Sequence, residues 1–161
     1  MTLPTARSVK GEKAYSPRPT SQGEHHTTVG IMGKEGMIFH ETFKGFLTKE
    51  IFIMLLKTFI IDIFANTDKW LILDNAPVHK SKEVRKLLEE NNVNYLYLPP
   101  YSPEYNPIEL GWSKMKQLIK KWKPRTPFSL HFFIHNAIKC ISQTDINGYF
   151  SHVNKEYAAL N

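Results

Sequence analysis

Two acidic residues in the 161-residue sequence, Asp74 and Glu109, stand at boundaries between predicted elements. Asp74 ends the apolar run Lys69–Asp74, which is typical of a strand covered on both faces. Glu109 lies in the first turn of a helix predicted to begin after Asn106. Residues 75–108 include a predicted helix and strand, so both carboxylates can reach one end of a sheet. Carboxylates held together repel each other unless a divalent metal ion neutralises them.

Each acid also has a purely structural interpretation. An aspartate that follows a strand often only accepts a hydrogen bond from the turn after it. Glu109 comes three residues after Asn106, which matches a capping box, and its negative charge suits the N-terminal end of a helix dipole. Residue spacing alone leaves both interpretations open.

The segments around the two acids share an unusual series of residues with one family. They read "LILDNAPVHKSKEVRKLLEE" and "YLYLPPYSPEYNPIELGWSKMK". Both resemble mariner-type transposases and their bacterial insertion-sequence relatives, in which Asp-Asn-Ala-Pro-x-His follows a strand and a Leu-Pro-Pro-Tyr-Ser-Pro loop leads into Asn-Pro-Ile-Glu-x-x-Trp. The resemblance covers residues 20–125 best. It implies a DDE endonuclease with an RNase H-like α/β fold, a mixed sheet flanked by helices.

The resemblance also implies a chemistry. Asp74 and Glu109 would be the second and third members of a catalytic three-carboxylate site that binds Mg²⁺ or Mn²⁺. Two such ions about 3.5–4 Å apart activate water or a 3′-hydroxyl and stabilise the leaving oxygen, which cleaves DNA and transfers strands during transposition and integration.

The first carboxylate of the family's site has no counterpart in this sequence. It should end a strand ahead of the first predicted hairpin, yet no aspartate precedes Asp62. Asp62 and Asp68 do not match the motif, and Glu12 and Glu24 are conceivable substitutes. Two carboxylates and water hold Mg²⁺ weakly, and misplacement alone can cost about 10²-fold in rate. We therefore expect this chain to be inactive; the alternative is a non-catalytic derivative that binds DNA or a transposase.

Three polar residues are predicted to support the two acids. Asn75 and Asn106 are predicted to hold the acid-bearing loops through Asx-type hydrogen bonds. His79 lies five residues after Asp74. It is either a phosphate contact near the site or a turn histidine bonded to the backbone.

A run of cations follows Glu109 without an intervening acid. The formal net charge of +6 permits a polyanionic partner, and a charge run can also be a solvated helix face. We favour a track for the DNA backbone because the run extends from the proposed site. The predicted DNA-binding residues are Lys114, Lys116, Lys120, Lys121, Lys123 and Arg125.

Three parts are predicted along the chain: a basic flexible arm at 1–23, a partial catalytic core at 24–125, and a C-terminal helical segment at 126–161 packed on the core.

A hairpin is predicted at residues 26–43. Thr48 is predicted to cap a buried core helix at 49–65, and Ser81 to cap the next helix. Trp112 and Trp122 are predicted to be core residues on the apolar face of a later helix. The family's first strand would be missing from the sheet, which leaves an edge bare.

Composition predicts the compartment and partners. The single cysteine, Cys140, lies in an apolar helical stretch where packing is its expected role, so the chain suits a reducing compartment. No secretory signal opens the sequence, and the apolar segment 51–64 is too short to span a membrane. We expect a nuclear protein in a eukaryote and a cytoplasmic one otherwise, not secreted. The expected partners are DNA and either a second copy or a full-length transposase, with no membrane.

Overall fold

The computed structural model describes residues 24–158, which contain four strands and six α-helices. The predicted arm at 1–23 lies outside the described residues. The strands are β1 His26–Gly33, β2 Gly36–Lys44, β3 Trp70–Leu73 and β4 Asn94–Tyr97. The helices are α1 Lys49–Leu55, α2 Ile61–Phe64, α3 Lys82–Glu90, α4 Pro107–Trp122, α5 Pro127–Lys139 and α6 Gln143–Ala158.

The strands form two separate sheets of two strands each. β1 and β2 make the predicted antiparallel hairpin, and β3 and β4 pair in parallel through the crossover helix α3. The α/β class is therefore confirmed, and the strands of residues 24–158 form two small sheets where a single mixed sheet was expected. Within residues 24–158 no strand pairs with the second edge of β1 or of β3, so nothing joins the two sheets by hydrogen bonds.

One continuous helical segment connects β2 to β3. The Thr48 hydroxyl caps α1 by accepting a hydrogen bond from the Ile51 amide, as the sequence predicted. A π-helical stretch, Leu56–Ile60, then links α1 to α2. The apolar sequence predicted a buried helix, yet Met54 and Phe59 are exposed. Burial is one-sided because the two sheets lie against a single face of this helix.

The main core lies between these helices, α3 and the inner faces of both sheets. The Ser81 hydroxyl caps α3, and Val84 and Leu88 on its apolar stripe are completely buried. Val29 and Ile31 of β1 pack against the same cluster from the hairpin side. The buried members are Phe52, Leu55, Leu56, Ile60, Phe64, Leu71, Leu73, Val84, Leu88 and Val93.

The other face of the hairpin packs against α4 and α5. Two glycines permit close contact, because a Cβ atom on Gly30 would lie 2.7 Å from the Trp112 ring and one on Gly111 would lie 2.6 Å from the Met32 side chain. Trp112 and Trp122 belong to this second core, as predicted. The buried members of this core are Met115, Ile134, Ala137 and Ile138.

The outer face of the β3–β4 sheet is exposed. Leu71 and Leu73 point into the main core, whereas Trp70 is 61%, Ile72 56% and Leu96 54% exposed. The apolar run that ends at Asp74 predicted a strand covered on both faces, and that prediction is wrong for the described residues. The helices within residues 24–158 pack against only one face of this sheet.

The C-terminal segment forms two helices, and Cys140 lies exposed at the end of α5. Its predicted packing role is wrong, because the helix ends there and turns the side chain away from the core. Among the described residues, no helix is long and apolar enough to cross a membrane.

Candidate metal centre

Asp74 follows the last residue of β3 and is fixed by two contacts to one carboxylate oxygen. Oδ1 accepts a hydrogen bond from the Ala76 amide at 3.0 Å and lies 2.6 Å from Nδ1 of His79. The hydrogen bond from His79 lowers the pKa of Asp74, and the Ala76 amide adds to this against the opposing effect of partial burial. Asp74 therefore stays ionised at neutral pH, and Oδ2 faces no donor within residues 24–158.

His79 is held so that its ring faces Asp74. The ring packs on Phe52, with centroids 4.4 Å apart, and is mostly buried. The His79 amide donates to the Ala76 carbonyl, and its own carbonyl accepts from the Tyr97 hydroxyl at 2.8 Å. His79 therefore lies in a turn, but its ring contacts the Asp74 carboxylate and not the backbone, so the choice between the two predicted roles stays open. The pairing with Asp74 was not predicted, although the five-residue separation across a proline-bearing turn was the available signal.

Asn75 does not make the predicted Asx-type bond. Its side-chain oxygen is buried without a hydrogen-bond partner among the described residues. The Ala76 amide donates to the Asp74 carboxylate, so Asp74 makes the Asx-type bond of this turn. Asn75 could not make the equivalent bond, because Pro77, two residues later, has no amide hydrogen.

Glu109 occupies the third position of α4 and is exposed. Asn106 caps the helix as predicted, because its side-chain oxygen accepts from the Ile108 amide at 3.4 Å. The reciprocal half of a capping box is absent, since the Asn106 amide donates to the Pro103 carbonyl instead. The Glu109 carboxylate makes no hydrogen bond or ion pair in the described part of the chain, so it is free to bind a ligand.

A short connection links the two acids. The Leu98 amide donates to the Leu73 carbonyl at 2.8 Å, so β4 ends beside the residue that precedes Asp74. The loop 99–106 then runs from this end of the sheet to α4 and Glu109. Whether both carboxylates share one ion remains a prediction.

A third ligand does not come from the residues that the structure describes. They include no group of three or more His, Cys, Asp or Glu side chains able to hold a metal ion. Glu24, one of the two substitutes, is hydrogen-bonded to Lys44 before β1 begins. Gly111, half a turn after Glu109, contacts Met32 near the other end of that strand, roughly 26 Å from Glu24 at the rise of an extended strand. Glu12 lies outside the described residues.

The predicted DNA-binding cations divide into one that forms an ion pair and five that are exposed to solvent. Lys114 pairs with Asp145 at 2.5 Å, which raises the pKa of Lys114 and lowers that of Asp145 to about 2. This ion pair was missed because Asp145 is remote in sequence. Five predicted cations of the track remain exposed to solvent: Lys116, Lys120, Lys121, Lys123 and Arg125.

Comparison with known proteins decides the family. A sequence model described as DDE superfamily endonuclease matches residues 1–128, which is most of the chain and extends beyond the segment 20–125 recognised from the motifs. The chain belongs to this DDE endonuclease family. It is also 31% identical to the Tc1 transposase of Caenorhabditis elegans over 47% of this chain and 34% of the relative.

Solved transposase structures have the same fold as this DDE-family chain. One is the Mos1 mariner paired end complex with Mn, to which this chain aligns with a TM-score of 0.70 and 18% identity. The alignment covers 93% of this chain and 46% of the Mos1 chain. For the Mos1 transposase catalytic domain with Raltegravir and Mg, the identity is 17%, the TM-score 0.65, and the coverage 82% of this chain and 73% of that one. The predicted RNase H-like fold is confirmed. The chain spans about a third of the Tc1 relative and under half of the full Mos1 chain.

Proposed function

We propose that this transposase catalytic-domain chain contributes two carboxylates, Asp74 and Glu109, to a Mg²⁺ or Mn²⁺ site for phosphoryl transfer on DNA. The main support is that the hydrogen bond from His79 lowers the pKa of Asp74, while its second oxygen, Oδ2, makes no hydrogen bond within residues 24–158. Glu109, across the loop 99–106, is exposed and makes no hydrogen bond or ion pair with the other described residues. His79 positions Asp74 and does not itself need to touch the ion.

The side chains fit the proposed ions. Mg²⁺ and Mn²⁺ prefer oxygen ligands and accept one or two carboxylates together with water. Asp74 offers Oδ2, and Glu109 offers both oxygens on an exposed first helical turn. A bound ion would supply Lewis acidity at the scissile phosphate. The buried side-chain oxygen of Asn75, which follows Asp74 and has no hydrogen-bond partner within residues 24–158, is a further polar group at this end of the sheet.

Metal binding can be measured without catalysis. We expect the chain to bind Mn²⁺ weakly by paramagnetic relaxation or calorimetry. Asp74→Asn and Glu109→Gln should each weaken binding at least tenfold, because each amide keeps the shape but loses the charge. Glu104→Gln, an exposed acid in the same loop, is the matched control and should bind as the unchanged chain does. Equal binding by all four proteins would refute the site.

Catalysis by this chain alone is not expected. Two carboxylates do not fix a two-metal geometry, and residues 24–158 include no group of three His, Cys, Asp or Glu side chains placed to hold a metal ion. Purified chain with Mg²⁺ or Mn²⁺ should neither nick DNA nor join ends above background. Metal-dependent nicking that is lost in Asp74→Asn would show that a third ligand exists, with Glu12 the first candidate to replace.

DNA is the proposed partner, with contacts along the exposed face of α4. A solved structure with the same fold is that of the Mos1 Strand Transfer Complex, and the five exposed cations here lie on and after α4. Neutralising Lys116, Lys120 and Lys121 together should lower the slope of log K against log salt by roughly two to three. Lys114→Gln is the control, since Lys114 is paired with Asp145; it should leave the slope unchanged. A DNA substrate would place the chain in the nucleus of a eukaryotic host.

The second candidate function is non-catalytic: DNA binding, or pairing with another copy or a full-length transposase. Among the described residues, it is favoured by the lack of a cluster of three metal-binding side chains and by the exposed apolar face of β3–β4. Mixing the chain with a complete family transposase and measuring sedimentation distinguishes the candidates. A stable complex that blocks cleavage supports this alternative, and a chain that sediments unchanged opposes it.

A further inference from the structure

Tyr101 combines two features that each carry an energetic cost. Its side chain is completely exposed, at 100% of its reference surface. Its backbone has a φ of +56°, a conformation that is a genuine outlier for a bulky residue. An aromatic ring is among the largest apolar surfaces that a side chain can bury, so Tyr101 gains nothing from folding in the arrangement observed.

The other positive-φ residues in the described part of the chain have ordinary explanations. Asn66 and Asn92 are asparagines, which enter the left-handed region readily. Lys123 ends α4 in the left-handed conformation typical of a helix C-terminus. Tyr101 neither ends a helix nor belongs to a residue type that favours this conformation, and such an outlier points to a function.

The loop that carries Tyr101 is anchored on both sides. Before it, the Leu98 amide is bonded to the Leu73 carbonyl, and two prolines follow. After it, the Ser102 hydroxyl donates to the Pro100 carbonyl, and Tyr105 stacks on Tyr157 of α6 with centroids 4.6 Å apart. The exposed ring is therefore presented by a constrained loop and is not the tip of a loose one.

The location connects the ring to the candidate metal centre. Tyr101 lies three residues after Leu98, so its Cα is within about 11 Å of the Leu98 Cα, and the Leu98 amide is bonded to Leu73, the residue before Asp74. It also precedes Glu109 by eight residues in the loop that leads to that acid. A ring placed here would meet a nucleic acid whose backbone lies at the two carboxylates.

We propose that Tyr101 stacks on an unpaired DNA base next to the phosphate at the metal centre. This inference rests on the proposed function, since it needs DNA at Asp74 and Glu109. Every base offers a π-face, so the contact would tolerate any sequence but would require a base that is not already stacked within a duplex. The chemistry selects frayed or single-stranded DNA over intact duplex at this position.

The test compares two DNA probes with the full chain. One probe is a duplex with a short single-stranded tail carrying 2-aminopurine, and the other is the same duplex with blunt ends. Tyr101→Ala should weaken binding of the tailed probe about 5- to 100-fold and abolish the change in 2-aminopurine fluorescence, while blunt-duplex affinity stays within about twofold. Tyr101→Phe should keep both properties because it keeps the ring.

Phe128→Ala is the matched control, since Phe128 is an 86% exposed ring at the start of α5 and outside the loop. It should leave both probes unaffected. Unfolding temperatures should be equal for the unchanged chain and Tyr101→Ala, since the ring is fully exposed. Unchanged tailed-probe affinity in Tyr101→Ala, or an equal loss on both probes, would overturn the stacking role while leaving the proposed function intact. Failure of the unchanged chain to bind either probe would overturn both.

Discussion

The two small sheets of this chain differ in how they are covered. The β1–β2 hairpin lies between helices on both sides, with Val29 and Ile31 in the main core and Gly30 against Trp112 of α4. The β3–β4 pair carries Asp74 but is covered on one face only, so Ile72 is exposed on the other. The hairpin is thus an internal scaffold layer. The sheet that holds the candidate site depends on a single layer of helices and leaves an apolar surface open.

The largest expected effect compares two neighbours on β3. Leu71→Ala should lower the free energy of unfolding by about 2–5 kcal/mol, because it leaves a cavity in the main core. Ile72→Ala should cost less than about 1 kcal/mol, because its side chain is 56% exposed. Urea unfolding monitored by tryptophan fluorescence measures both. Similar losses in the two variants would mean that the outer face of β3–β4 is covered in solution, and concentration-dependent stability would identify a second copy as the cover.

The hairpin's tight packing predicts the next largest effect. Gly30→Ala should destabilise the chain by about 1–3 kcal/mol, since the new Cβ would lie 2.7 Å from the Trp112 ring and force it to move. Gly148→Ala in α6 is the control, because a Cβ there meets nothing within 4 Å. It should stabilise the chain by about 0.5–1 kcal/mol through helix propensity. Thermal unfolding measures both variants. If their unfolding temperatures shift in the same direction, the packing described for α4 is contradicted.

Local sequence patterns predicted the helices and strands well, but they did not predict which faces of those elements are buried by other parts of the chain. Thr48, Ser81 and Asn106 were recognised as helix caps from their own neighbourhoods, and each makes the expected hydrogen bond. The exposure of Ile72 could not be predicted. An apolar run encodes the capacity to be buried, and whether a second layer covers it depends on elements elsewhere in the chain or in a partner.

The site shows the same division. The motif identified Asp74 and Glu109, and the structure leaves both available to a ligand. The contact between His79 and Asp74 depends on how a six-residue turn folds. The ion pair with Asp145, which removes Lys114 from the predicted DNA-binding cations, depends on the packing of α6 against α4. The turn contact had only its five-residue separation as a signal. The ion pair had none in the residues around the motif, because the run of cations lies along one helix whereas the pair joins two helices.

The smallest effect concerns the ion pair that joins α4 to α6. The Asp145 carboxylate accepts from Lys114 and from the amide of Ser142, while the Ser142 hydroxyl caps the same turn. These contacts hold the pKa of Asp145 at about 2, below its ordinary value of 3.8. A lowered carboxyl pKa stabilises the fold fully above the ordinary value, and the contribution disappears as the pH falls from about 4 to about 2.

Asp145→Asn should therefore lower the free energy of unfolding at pH 7 by about 0.5–1 kcal/mol, a modest value because solvent screens a pair at the surface. The difference between the two proteins should shrink as the pH is lowered below about 4 and vanish near pH 2. It should also fall in high salt. Glu90→Gln is the control, since the pair of Lys86 and Glu90 is longer, at 3.7 Å, and more exposed; it should change stability by less than about 0.5 kcal/mol. A difference for Asp145→Asn that persists at pH 2 would show that Asp145 acts through packing or helix capping and not through its charge.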